Sequence, residues 1–243
     1  MQFGDGREVA LLQFVYSHPE LEKIRGNPKG VLNAIDEFAR TNTGLINVGE
    51  RKGAIVCDLI TQYRPSCMLE LGGYIGYSGI LFGDALRRAG GKRYLSIEND
   101  PLFAAVASSL VDLAGLSDIV KYTVGTGFEG IQRLHEQGEL ARRVDMAFFD
   151  HHKPSYTPDL KLCERLGIVG LGTVLVADNM IVPGNPAYLA YVRASVAEKR
   201  EKAKAGEESG NPNLGYATWA VRSYEPSGQE DALEVSECTG AVA

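Results

Sequence analysis

Along the chain, stretches that read as amphipathic helices give way to short apolar runs that read as buried strands. Residues 8–17, 28–41 and 50–63 read as helices, the second entered by Asn27-Pro28 and the third stopped before Pro65. From residue 67 the two kinds interleave. Strands are predicted over 67–71, 93–97, 119–124, 144–149 and 173–177, and helices over 77–89, 101–114, 126–137 and near 158–166. Gly90-Gly91 stops one helix, and Pro101 opens the next, with Gly115 after it. Such alternation predicts a parallel sheet with helices on both faces. The pattern then changes. Residues 198–209 are a charged run, predicted to be a solvated helix end plus loop. Residues 216–224 and 232–238 are strand-like and joined by Pro226-Ser227-Gly228, a hairpin signal. The expectation is an α/β fold, a Rossmann-like seven-stranded, mostly parallel sheet with an antiparallel C-terminal hairpin. No repeat or linker divides it, so residues 1–243 are expected to form one domain, with 1–64 a helical cap over the sheet's rim and 65–243 the sheet core.

Composition narrows the function classes. An apolar fraction of 44% supports a sizeable core, and 23% charged residues is near the globular average. A net charge of −6 argues against a nucleic-acid partner, which needs a basic face. The four cysteines have no CxxC spacing, and Cys57 and Cys67 fall in apolar segments as reduced core thiols do. The first residues carry a charge pair where a leader would be apolar, and no apolar run approaches 18 residues. A cytoplasmic protein with no membrane partner, monomeric or homodimeric, is expected.

Candidate chemistry gathers at two strand ends, Asp150–Lys153 and 177–184. In an open parallel sheet, ligands sit just beyond the carboxyl ends of the strands. Asp150, Asp178 and Asn179 are therefore expected to converge at one rim. Two carboxylates and an amide oxygen make a hard-cation site of the magnesium type. The plainer alternatives are a cap after a strand for Asp150 and an Asx turn before Pro183-Gly184 for Asp178-Asn179. Lys153 lies beside the site as a candidate base. His151 and His152 tempt a zinc reading, but adjacent histidines on extended backbone point apart, and neither is expected to be a ligand.

Two further strand ends suggest a cofactor. Glu70, Gly72 and Gly73 form a turn where glycine lets the backbone approach a ligand closely. The carboxylate of Glu70 suits an amine-bearing ligand and repels a pyrophosphate; the plainer reading is a tight turn with Glu70 in solvent. Glu98 can accept both ribose hydroxyls of a nucleoside, which nicotinamide and S-adenosylmethionine (SAM) sites share. Asp100 before Pro101 reads as an N-cap.

The motifs LELGGYIGYSG, INVGERKG, FFDHHK and LVADNMIVPG followed by AYVR resemble the catechol O-methyltransferase family, from about Gly4 to about Arg193 with nearly gap-free spacing. The resemblance implies the seven-stranded methyltransferase sheet. It implies that Val48, Glu70, Gly72, Tyr74 and Ser78 line a SAM site, with Glu70 near the methionine end. Glu98 would hold the ribose, and Asn99, Thr126, Gly127 and Phe128 would lie around the adenine. Asp150, Asp178 and Asn179 would bind Mg²⁺, with Lys153 the general base. His152, Lys153, Asn179 and Pro183 would face a small aromatic diol. The chain also departs from the pattern. His152 stands where the family has a Trp, Gly44 stands near a second aromatic gate, and Gly127-Phe128 replaces a Ser-Gln pair. Ala217 is expected where the family carries the Glu that holds the second catechol hydroxyl. Two other classes compete: a SAM-binding protein without methylation, and an NAD(P)-dependent oxidoreductase sharing the sheet and Glu98.

Overall fold

A computed structural model describes residues 5–240; the first four residues, where the family resemblance begins and the leader question lies, and the last three fall outside the described residues. The chain opens with α1 (Arg7–Tyr16), α2 (Leu21–Ile24), α3 (Pro28–Thr41) and α4 (Gly49–Tyr63). It then alternates: β1 (Cys67–Leu71), α5 (Tyr77–Arg88), β2 (Arg93–Glu98), α6 (Pro101–Leu113), β3 (Val120–Val124), α7 (Gly127–Glu136), β4 (Met146–Phe149), α8 (Tyr156–Arg165) and β5 (Val174–Ala177). After α9 (Pro186–Arg193) and α10 (Val196–Lys204), the hairpin β6 (Tyr216–Tyr224) and β7 (Glu230–Cys238) closes the sheet. The short helices α2 and α9 were not among the predicted elements.

The seven strands run in the order β3-β2-β1-β4-β5-β7-β6, parallel except for β7, which is antiparallel to β5 and β6. Successive strand residues face opposite cores, the period-2 rule made visible. Met68, Met146, Phe148, Val174 and Val176 pack on one side with α3, α4, α5 and α6. Leu69, Leu71, Ala147, Phe149, Leu175 and Ala177 pack on the other with α7, α8 and α9. Both faces of the central strands are covered, so β4 and β5 read as unbroken apolar runs, while β1 and β2 also bury polar side chains, Glu70 in β1 and Ser96 in β2. The N-terminal helices do more than close the rim, since Val56 and Ile60 of α4 share the sheet core with Leu233 and Val235 of the hairpin.

Local chemistry fixes the ends. Asn27 caps α3 through Gly30 N–H (3.1 Å), and Asp100 caps α6 through Leu102 N–H (2.8 Å), each with proline at the first helical position. Ser195 and Glu198 form a capping box that starts α10. The charged run is less solvated than expected. Lys199 is buried, with its Nζ 4.2 and 4.5 Å from the ring centres of Tyr191 and Tyr216 and donating to Leu214 O (3.1 Å). No helix among the described residues is long and apolar enough to cross a membrane.

Candidate active site

The sheet order reverses between β1 and β4, and a cleft of about 960 Å³ opens beyond the strand ends there. One half belongs to β1, β2 and β3. At Gly72 (φ +93°) a Cβ would collide with the backbone carbonyl of Asp150, so the chain crosses from β1 to α5 in contact with the end of β4. Glu98 faces the cleft with both oxygens anchored, Oε2 accepting from Tyr74 N–H (2.7 Å) and Oε1 from Asp100 N–H (2.8 Å). Burial raises its carboxyl, and these backbone donors oppose the rise. Tyr74 adopts φ +42°, and its hydroxyl donates to buried Glu8 on α1 (2.8 Å). Asn99, Thr126 and Gly127 line the same half.

Glu70 is fully buried beneath this floor and is not solvent-facing. Its Oε2 accepts from Ser96 Oγ (2.5 Å), while Oε1 has no partner. Burial pushes its carboxyl up to about 7, against the hydroxyls of Ser78, Ser96 and Tyr94. Ser78 and Val48 are also buried below the lining, Leu45, Ile46 and Asn47 forming the wall next to Val48. Phe128 is about half exposed and is not part of the cleft lining.

The other half is acidic and held together across the whole chain. Lys153 Nζ lies 2.8 Å from Asp150 Oδ1 and 2.8 Å from the hydroxyl of Tyr156. Asp178 Oδ1 accepts from its neighbour Asn179 N–H (2.6 Å) and from Nζ of Lys52 (2.6 Å), a lysine on α4 that is 1% exposed. The same Nζ reaches Glu225 Oε1 (2.6 Å) and Asp231 Oδ2 (3.1 Å) at the hairpin. Asn179, at φ +64°, donates through Nδ2 to Glu225 Oε1 (2.7 Å) and Asp231 Oδ2 (3.2 Å). Burial would push Lys52 down, yet Asp178 and Glu225 outweigh it and raise it. Asp178 is raised too, by burial and then by the charge of Asp150. The two directions conflict for one ion pair. Three carboxylates surround one ammonium, so Lys52 stays charged, while Asp178 is raised first by its burial and then by the charge of Asp150, against the pull of Lys52.

His151 also lines the cleft, but its ring nitrogen is committed to Asp159. Its Nε2 meets Asp159 Oδ2 at 2.8 Å, its ring stacks on Tyr156 at 4.7 Å, and burial lowers its pKa. His152 is exposed, with Nδ1 3.4 Å from Ser155 Oγ. His152, Lys153, Asn179 and Pro183 all line the cleft.

A methyltransferase-domain family matches residues 69–180. Catechol O-methyltransferase of Mus musculus is 41% identical over 79% of this chain and 70% of the relative. A probable O-methyltransferase of Mycobacterium tuberculosis is 37% identical over 79% of this chain and 81% of the relative. The chain belongs to the catechol O-methyltransferase family. It is a SAM-dependent O-methyltransferase, and the nicotinamide reading of Glu98 falls away. An O-methyltransferase of Bacillus cereus, solved with S-adenosylhomocysteine, shares the fold with a TM-score of 0.62 at 20% identity, covering 94% of this chain and 97% of that one.

One correction follows for the family's acceptor-holding Glu. Ala217 is exposed and pairs with Glu237 near the start of β6. The eight steps from Ala217 to Glu225 span about 27 Å at the rise of a strand. Glu225, just past the end of β6, is the carboxylate that lines the cleft beside Asp178 and Asn179. The hairpin's register, which the sequence alone does not give, leaves Ala217 outside the cleft lining and Glu225 within it. Gly228 (φ +86°) makes the tight turn, with Glu225 N–H donating to Gln229 O (2.8 Å), and this lifts Glu225 onto the rim. Lys52, Asp231, Tyr156 and Asp159 were also missed. The available sign for Lys52 was its helical spacing four residues from Val48 and from Val56, both buried, since lysine is rarely buried unless paired.

Proposed function

We propose that this O-methyltransferase moves the methyl group of SAM to one hydroxyl of a catechol-like vicinal diol, with Mg²⁺ held by Asp150, Asp178 and Asn179 and with Lys153 as general base. One observation carries this reading. Each of the three side chains has one polar end in use and one oxygen left over: Asp150 gives Oδ1 to Lys153, Asp178 gives Oδ1 to Lys52 and a backbone N–H, and Asn179 spends its amide nitrogen on Glu225 and Asp231. Three spare oxygens on carboxylate and amide groups suit a hard divalent cation. The cofactor half fits SAM in turn: Gly72 leaves the approach open, and Glu98 faces the cleft, anchored by backbone N–H groups in an orientation that suits a ribose.

When bound, SAM supplies the electrophilic methyl group and Mg²⁺ acidifies the hydroxyl beside it. The protein supplies position and proton management. Lys153 sits three residues from Asp150 and takes the proton as the acceptor oxygen becomes nucleophilic. A free lysine, near 10.4, is a poor base at neutral pH, and a neighbouring divalent cation lowers such a value. Glu225 is placed to accept from the second hydroxyl. His152 and Pro183 form the outer wall, with Ser227 and Gln229 of the hairpin opposite. The wall at His152 is polar where the family has an indole, so the acceptor is a diol larger or more polar than catechol itself.

The test is a product screen with labelled SAM against catechols, flavonoids and hydroxylated polyketides, with Mg²⁺ or with EDTA. Turnover of vicinal diols that EDTA abolishes is expected. Methylation of mono-hydroxyl acceptors at equal rate, or full turnover in EDTA, would sink the reading.

A further inference from the structure

The carboxylates around Lys52 divide into filled and half-filled acceptors. Asp231 is used on both oxygens, Oδ1 by Ile181 N–H (2.8 Å) and Val182 N–H (3.0 Å), Oδ2 by Lys52 and Asn179. Asp178 and Glu225 are used on one oxygen each, and in both cases Lys52 is a donor to that oxygen. Three hydrogen bonds exhaust an ammonium group. The Asp178, Glu225 and Asp231 oxygens come within 4.8 Å of one another, close enough for a metal ion, but the lysine nitrogen bonds all three.

We propose that Lys52 is a positioning residue of the metal centre: an internal monovalent cation that draws one oxygen of Asp178 and one of Glu225 inward and so presents the other oxygen of each to the cleft. This rests on the metal-dependent reading above. Charge supports it independently of orientation. Asp150 and Lys153 cancel. Three carboxylates against one ammonium leave a formal −2 (three minus one), which one divalent cation neutralises. Without Lys52 the sum would be −3, and the triad would suit a second ion. The ammonium comes from α4, so the N-terminal layer sets the geometry of three carboxylates that lie 126 to 179 residues further on.

Lys52→Met strands three buried carboxylates and can prevent folding. The deciding variant is therefore Lys52→Met combined with Asp231→Asn, which removes the ammonium and keeps the formal charge at −2. The full-length protein is titrated with Mg²⁺ and, separately, with SAM by calorimetry, with circular dichroism to check the fold. The expected result is a folded double variant with SAM affinity within about twofold of wild type and Mg²⁺ affinity 10–100-fold weaker, the usual cost of losing a partner that orients a metal ligand. If Lys52→Met alone folds, its thermal midpoint should rise more with Mg²⁺ than that of wild type, because a second ion takes the triad. Mg²⁺ affinity of the folded double variant within about threefold of wild type, with wild type binding normally, overturns the assignment alone. Wild-type protein that binds no Mg²⁺ and turns over fully in EDTA overturns the metal reading and the assignment together.

Discussion

The two halves of the cleft are built in opposite ways. The half beyond β1, β2 and β3 is local: Gly72, Tyr74 and Glu98 lie within 27 positions of one another (residues 72–98) and are anchored by backbone N–H groups. The half beyond β4 and β5 is assembled from the two ends of the chain, where Lys52 of α4 meets Glu225 and Asp231 of the hairpin. In the first half backbone donors do most of the orienting, with Glu8 of α1 holding the Tyr74 hydroxyl. In the second, side chains orient side chains, and charge must balance as well as geometry.

If that contrast is right, the acidic half should be the more fragile to single changes. Asp178→Ala removes a proposed metal ligand and one anchor of Lys52, and kcat should fall about 10³-fold, the worth of several kcal/mol of charge stabilisation. His152→Ala, in the same rim but exposed, should change it by no more than about twofold. Initial rates at saturating SAM and Mg²⁺ compare them, and equal losses would erase the distinction. Lys153→Met should cost 10²–10⁴-fold, the range of a general base, with SAM affinity unchanged. A loss under tenfold would move the proton elsewhere.

The cofactor half has a fully buried carboxyl, Glu70, and it makes a pH prediction. Burial raises Glu70 to about 7 from 4.5. Between those values the folded protein binds a proton that the unfolded chain has released. Stability therefore falls as pH rises from about 4.5 to about 7, and stays lowered above that. The effect is on the order of 3 kcal/mol for this fully buried group. Glu70→Gln should match wild type near pH 4.5 and exceed it at pH 8 by up to that amount in urea melts, while SAM binds more weakly. Parallel stability curves would mean that Glu70 carries no such burden.

The same contrast explains what the sequence revealed. The seven strands, the hairpin and the convergence of Asp150, Asp178 and Lys153 were legible because strand ends are marked by apolar runs and because parallel sheets bind ligands at one edge. Glu98 was legible for the same reason. Lys52 was not, because a lysine in a helix is ordinarily solvated, and only contacts with Asp178, Glu225 and Asp231 justify burying it. Lys199 hid in the charged run in the same way, buried by Tyr191 and Tyr216. What stayed hidden is what depends on long-range pairing: the register of β6 on β7 and the helix that supplies their counter-charge.

The register gives the sharpest remaining test. If Glu225 holds the second hydroxyl, Glu225→Gln keeps the side chain's size and one acceptor oxygen but loses the charge that strengthens the hydrogen bond. The catechol KM should rise or kcat/KM fall about 10–100-fold, in the range seen when a partner of a metal site is altered. Fold stability should change less, because Lys52 retains Asp178 and Asp231. Ala217→Glu, which would restore the family's carboxylate had the strand been one continuous alignment, places a charge on an exposed strand position opposite Glu237. It should leave the catechol KM within about twofold and cost at most about 1 kcal/mol from the like-charge pair. A catechol KM that improves in Ala217→Glu and ignores Glu225→Gln would reverse the correction and return the acceptor's carboxylate to the strand. The opposite pair of results fixes the acceptor to the hairpin turn, and with it to the same carboxylate that Lys52 holds from below.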